Sequence, residues 1–112
     1  MLKIPGKVPD KGFYYHYKHD PDGSINNYAY EVMGVGHHTE ADSCPVDPYM
    51  VVYRPLYESL VYKAGKLFDL RPLEMFLEKV AKDGNTLNRF EKIKDQKVIA
   101  ELEKIRARMY GN

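Results

Sequence analysis

Apolar and aromatic residues recur at every second position in the first half of this chain and at every third or fourth near its end. That change of period constrains the fold most, because side chains alternate across a strand but return to one helix face every 3–4 residues. Phe13, Tyr15 and Tyr17 alternate with Tyr14, His16 and Lys18, which predicts a strand. The turn formers His19-Asp20-Pro21-Asp22-Gly23-Ser24 end it. Tyr28 to His38 resumes the alternation, with Gly34 and Gly36 on the face of Tyr30, Val32 and His38. Glycines inside a strand imply a bulge, a bend or a close approach. Residues 39–48 read as a loop, and Met50 to Tyr57 as the most apolar strand. Pro55 has no N–H for a ladder and marks an edge, a bulge or the strand's end. A polar link, Lys63-Ala64-Gly65-Lys66, leads to a short strand from Leu67 to Leu70.

The period then switches. Pro72 suits a first helical turn, and Leu73, Phe76, Leu77 and Val80 follow at helical spacing, predicting two turns of helix. Asp83-Gly84-Asn85 is a turn, and Asn88 to Ile93 a last strand. Asp95 is a suitable N-cap for a helix over Gln96–Tyr110, whose stripe is Val98, Leu102, Ile105 and Met109, widened by Ile99; Gly111 stops it. The expected fold is mainly β, a β-rich α+β domain. It is either a small SH3-like barrel or a curved antiparallel sheet, with a short helix before the last strand and a C-terminal helix. Residues 1–11 form a lead-in, 12–94 the β-rich domain, and 95–110 an amphipathic helix packed on it. That stripe covers the sheet or pairs with a second copy, so monomer and homodimer both stay open.

Composition narrows the functional classes. A chain of 112 residues supports one core. Ten tyrosines and four phenylalanines without tryptophan lean toward strands. A net charge of +1 gives no basic stripe, so a phosphate-driven polymer partner is not implied. Cys44 is the only cysteine and has no intramolecular disulfide partner; a free thiol in a reducing cytosol is the plain reading. No run approaches the ~20 apolar residues of a membrane span, and Met-Leu-Lys-Ile-Pro-Gly-Lys lacks the apolar core of a signal peptide. A cytoplasmic location without membrane association is expected.

Several blocks carry a resemblance. Tyr14-Tyr15-His16-Tyr17-Lys18, Tyr30-Glu31-Val32, His38-Thr39-Glu40, Val52 to Tyr57, Arg71 to Phe76, and Asp83-Gly84 with Arg89-Phe90 stand in order over about residues 12–93. Together they resemble a widespread bacterial family, a domain of unknown function catalogued as family 1653. The terminal helix lies outside the resemblance. The family usually carries arginine where this chain has Tyr15 and His37, glycine at His19 and tryptophan at Asp69. Its loops are shorter around residues 19–27 and 41–49. The resemblance implies a family and no activity.

Two side-chain sets are candidates for function. His38 and Glu40 share a strand face, and His16 joins them if its strand pairs alongside; two imidazoles and a carboxylate are a metal or acid–base set. The spacing is unspecific, so no metal and no cofactor are expected, and a structural hydrogen-bond network is the competing account. The second set is Tyr53, Arg54 and Arg71, with Arg89 and the tyrosines of the first strand. Arginine offers a planar fork for carboxylate or phosphate, and tyrosine a flat face with a hydroxyl. The competing account pairs these arginines with Glu31, Glu40 or Glu74 inside the fold. Arg71, beside Pro72, is expected to be structural, and Arg54 the better ligand contact. Cys44 has no partner placed to activate it. These readings favour a non-catalytic binding or interaction module over an enzyme that uses the His–Glu set. A subunit that acts only by dimerising is the third reading. The ligand is left open among protein, small molecule and nucleic acid.

Overall fold

The computed structural model describes residues 7–39 and 48–111. Alternation in the first half produces three strands, β1 (Gly12–His16), β2 (Ala29–His37) and β3 (Tyr49–Pro55), joined as an antiparallel meander. Strand β4 (Asp69–Pro72) pairs with β3, and β7 (Phe90–Lys92) returns to pair with β1. The sheet order is β4-β3-β2-β1-β7, and its two edges are not hydrogen-bonded to each other. The fold is therefore mainly β with an open sheet rather than a closed barrel. Gly34 marks a shift of register between β2 and β3, the irregularity that its glycines imply.

Both faces of the sheet are covered. Helix α3 (Gln96–Tyr110) starts at Asp95, whose carboxylate accepts from the Lys97 N–H at 2.9 Å, and ends at Gly111. Its stripe of Leu102, Ile105 and Met109 is buried against Phe13, Ala29, Leu56 and Ile93. The stripe is thus occupied within the chain, and Glu101, Lys104 and Arg108 are left exposed. On the opposite face a second core joins Tyr14, Val32, Val51, Tyr53, Leu73, Phe76 and Phe90. Phe76 and Phe90 stack there at 4.2 Å.

Several elements after β3 differ from the sequence reading, among them the short strand expected at Leu67–Leu70, which is β4 two residues further on. A single helical turn, α1 (Leu60–Lys63), precedes the expected polar link and shares only Lys63 with it; the Ser59 hydroxyl caps the turn by accepting from the Tyr62 N–H at 3.2 Å. The helix after Pro72 is also one turn, α2 (Leu73–Phe76), and stops at Leu77. Val80 belongs instead to a hairpin of β5 (Lys79–Lys82) and β6 (Asn85–Asn88), where it faces Leu87. Asp83 and Gly84, with φ of 52° and 78°, form its two-residue turn. Positive φ at both central residues is the type I′ geometry that matches strand twist, and Asp-Gly favours it. The turn's hairpin geometry prevails over the helical spacing of one valine, because a four-residue helix gains little by itself. The predicted last strand, Asn88–Ile93, is β7 at Phe90–Lys92.

Candidate functional site

Register decides which candidates meet. His16 ends β1, and its N–H donates to the Tyr28 carbonyl at 3.0 Å, whereas His38 follows the far end of β2, ten residues on. At about 3.3 Å per residue that separation is roughly 30 Å along the strand. His16 and His38 are not brought together, and Glu40 lies outside the described residues, as does Cys44. The His38 N–H donates to the Pro48 carbonyl at 2.7 Å. Among the described residues no group of three His, Cys, Asp or Glu side chains has the geometry to hold a metal ion.

The two arginines lie on opposite faces. Glu31 and Arg54 are cross-strand partners on the face under α3. Arg54 donates from Nε to Glu31 Oε1 at 2.9 Å and from Nη2 to the same oxygen at 2.8 Å. Arg106 of α3 completes the triad from Nη1 to Glu31 Oε2 at 2.9 Å. The Arg54 guanidinium also lies 4.0 Å over the ring of Tyr110. Tyr110 in turn donates to the Pro55 carbonyl at 2.6 Å, and burial raises its hydroxyl pKa to about 12. Arg54 is therefore engaged inside the fold, contrary to its expected role as the freer contact.

Arg71 occupies the other face. Its Nε donates to the Tyr53 hydroxyl at 3.2 Å, and its guanidinium lies 5.5 Å from the centre of the Phe90 ring. It forms no ion pair with a described residue. Together with Asp69, two positions earlier on β4, it lines a cleft of about 300 Å³ walled by Tyr30, Tyr53 and Tyr57, with Ser59, Leu60 and Val61 on the α1 side. Tyr53 is a core residue whose hydroxyl reaches this cleft. The hydroxyls of Tyr30 and Tyr57 hydrogen-bond to each other, and burial raises the pKa of both, that of Tyr30 well above the ordinary phenol range. Burial also raises the Asp69 carboxyl, and Arg71 opposes that shift.

His16 adjoins the same wall. Its ring meets Phe90 edge-on at 5.1 Å, and its Nδ1 accepts from the Lys18 N–H at 3.2 Å. Loss of solvent, then the positive charges of Arg71, Lys18 and Arg89, depress its pKa to about 4, so it is neutral at pH 7. The neutral His16 ring adds no charge beside Arg71, and Asp69 is the ionisable group of opposite sign that lines the cleft among the described residues. Two smaller depressions, of about 190 and 170 Å³, include no arginine in their lining.

Of the predicted residues, Tyr53 and Arg71 thus line the cleft, His16 lies within electrostatic reach of Arg71 but lines the separate depression of about 170 Å³, and Arg54 and His38 lie elsewhere. Sequence reasoning overlooked Asp69, Tyr30 and Tyr57 as lining. Asp69 was accessible through its period-two relation to Arg71, and Tyr30 through its place on the alternating face of β2. Tyr57 carried no signal, because it lies beyond Pro55 where the alternation ends.

Fold and site together define a small, mainly β domain with one helix-covered face and one aromatic, arginine-bearing cleft. The chain belongs to the family described as "Protein of unknown function (DUF1653)", whose sequence model matches residues 12–92. No curated protein and no solved structure matches it. The match takes in all seven strands with α1 and α2 and ends before α3. No helix among the described residues is long and apolar enough to cross a membrane.

Proposed function

We propose that this protein is a non-catalytic binding module that holds an anionic group of its ligand at Arg71. One observation carries the reading: Arg71 is half-buried in an aromatic cleft, with one hydrogen bond to Tyr53 and no carboxylate partner among the described residues. A half-desolvated guanidinium in that state favours a carboxylate or phosphate, to which it offers two parallel N–H groups. Asp69 lines the same cleft and interacts electrostatically with Arg71 without forming an ion pair with it, so the guanidinium keeps N–H groups for a ligand. A cleft of about 300 Å³ is at the small end of ligand sites, which suits a small molecule or one residue of a larger partner. A cytoplasmic setting accords with the single cysteine.

The test is a titration of isotope-labelled protein with acetate and with inorganic phosphate, followed by backbone amide shifts. Shifts should concentrate at Tyr57, Asp69 and Arg71, and Arg71→Gln should remove them with little change in melting temperature. Shifts that persist unchanged in Arg71→Gln would remove this cleft as the site.

A further inference from the structure

The loop between β1 and β2 ends on a residue in an uncommon backbone state. Tyr28 has φ of 51°, in the left-handed region, where a bulky side chain is an outlier. The backbone on either side is fixed, since the Tyr28 carbonyl accepts from the His16 N–H at 3.0 Å and the Ala29 N–H donates to the Asn26 carbonyl at 3.1 Å. Glycine would hold this geometry without strain, and asparagine tolerates it well. The tyrosine ring gains little packing in return, because the residue is 39% exposed. Such strain, kept at an exposed aromatic, points to a use outside the folded chain.

The ring's neighbours indicate that use. Tyr28 lies 5.7 Å from the His16 ring at an interplanar angle of 28°, and 6.0 Å from the Tyr57 ring at 49°. Tyr57 is also a wall of the cleft that contains Arg71. An exposed aromatic ring therefore adjoins an arginine without an ion-paired carboxylate among the described residues, with a neutral imidazole between other rings. Flat aromatic faces recognise flat π-systems, and the adjacent guanidinium recognises an anion. We propose that the exposed Tyr28 ring is a stacking platform for a small ligand that joins a planar ring to an anionic group, with Tyr57 linking it to the cleft and the anion seated on Arg71. Nucleoside monophosphates and aromatic carboxylates share this chemistry. The inference rests on the binding-module reading and adds the ring. A longer polyanion is disfavoured, since the net charge is only +1 and the cleft is small.

Isothermal titration with a nucleoside monophosphate, its free nucleoside, inorganic phosphate and benzoate tests it. At least one of the two ring-bearing anions should bind about tenfold or more tightly than either the nucleoside or phosphate alone. Tyr28→Gly should lose that gain while keeping or raising the melting temperature, which a structural role for the ring would lower. Tyr28→Phe should retain it. Selective binding of benzoate over the nucleotide, or the reverse, identifies the source and supports the platform either way. Equal affinity for phosphate and the ring-bearing anions, or full affinity in Tyr28→Gly, overturns the platform but leaves the anion site at Arg71. Binding of the nucleoside alone as tightly as the nucleotide overturns the pairing of ring with anion. Binding by none of the four overturns both readings.

Discussion

The two faces of the central sheet use the same residue types to opposite ends. Under α3, Glu31 accepts from Arg54 and Arg106, and an aromatic ring covers Arg54, so charge and hydrogen-bonding capacity are matched inside the fold. On the other face Arg71 has an aromatic neighbour and a hydroxyl but no carboxylate partner among the described residues. An arginine beside tyrosines thus says little about function until the sheet face and the charge count are known. Both arginines belong to the strand pair β3–β4, one on each strand and on opposite faces.

Perturbing each face sharpens the contrast. Glu31→Ala should give the largest loss, about 3–5 kcal/mol by chemical denaturation, because it leaves two guanidinium groups without their shared carboxylate at a site with little solvent. A loss below ~1 kcal/mol would show that water compensates both arginines. Leu102→Ala should follow at about 2–5 kcal/mol, since Leu102 is fully buried between α3 and the sheet. An unchanged unfolding midpoint there would mean that α3 adds no stability.

The third expectation concerns pH. The folded-state pKa of His16, about 4, lies below its ordinary value of 6.5, so the unfolded chain binds the proton more readily. The stability contributed by neutral His16 is therefore present above pH 6.5 and lost as pH falls from there toward about 4. For a half-exposed ring the loss should amount to about 1–2 kcal/mol after solvent screening. Asp69 acts in the opposite sense just above its ordinary value of 3.8, so the difference from His16→Gln, measured at each pH, isolates the histidine. Parallel curves for the two proteins would place the His16 ring in water. The smallest effect should come from Arg71→Gln, below about 1 kcal/mol, because it gives up one hydrogen bond and no ion pair with a described residue. A loss near that of Glu31→Ala would make the two faces equivalent and withdraw the site.

Legibility in the sequence followed the length of each pattern. The terminal helix, with four turns of stripe, an Asp95 cap and a Gly111 stop, is found over the predicted Gln96–Tyr110. The strands β1, β2 and β3 are found within two residues or so of their alternation, as expected where one pattern spans five residues or more. Short elements escaped: α1 has four residues and one signal, Ser59, and the β5–β6 hairpin was legible only at its Asp83-Gly84 turn, because Val80 continued a helical spacing by coincidence. The site was legible as residue types but not as a constellation. His16 and His38 share no register, and Arg54 and Arg71 differ because they lie on opposite sheet faces, with Glu31, Arg106 and Tyr110 engaging only the face of Arg54. Such long-range pairing leaves no local trace.

The order of the sheet also bears on how the chain reaches it. Strand β1 lies between β2, its neighbour in sequence, and β7, whose Lys92 pairs with Tyr14. The first pairing closes a short loop, whereas the second joins positions almost eighty residues apart and costs more chain entropy. Folding should therefore begin with the β1–β2–β3 meander, and β1 should keep one unpaired edge until residues 90–92 arrive. That interval exposes the ring-rich Phe13-Tyr14-Tyr15 segment to other chains, a hazard of sheets completed by non-local strands. Refolding on the millisecond-to-second scale is expected, with yields that fall as concentration rises.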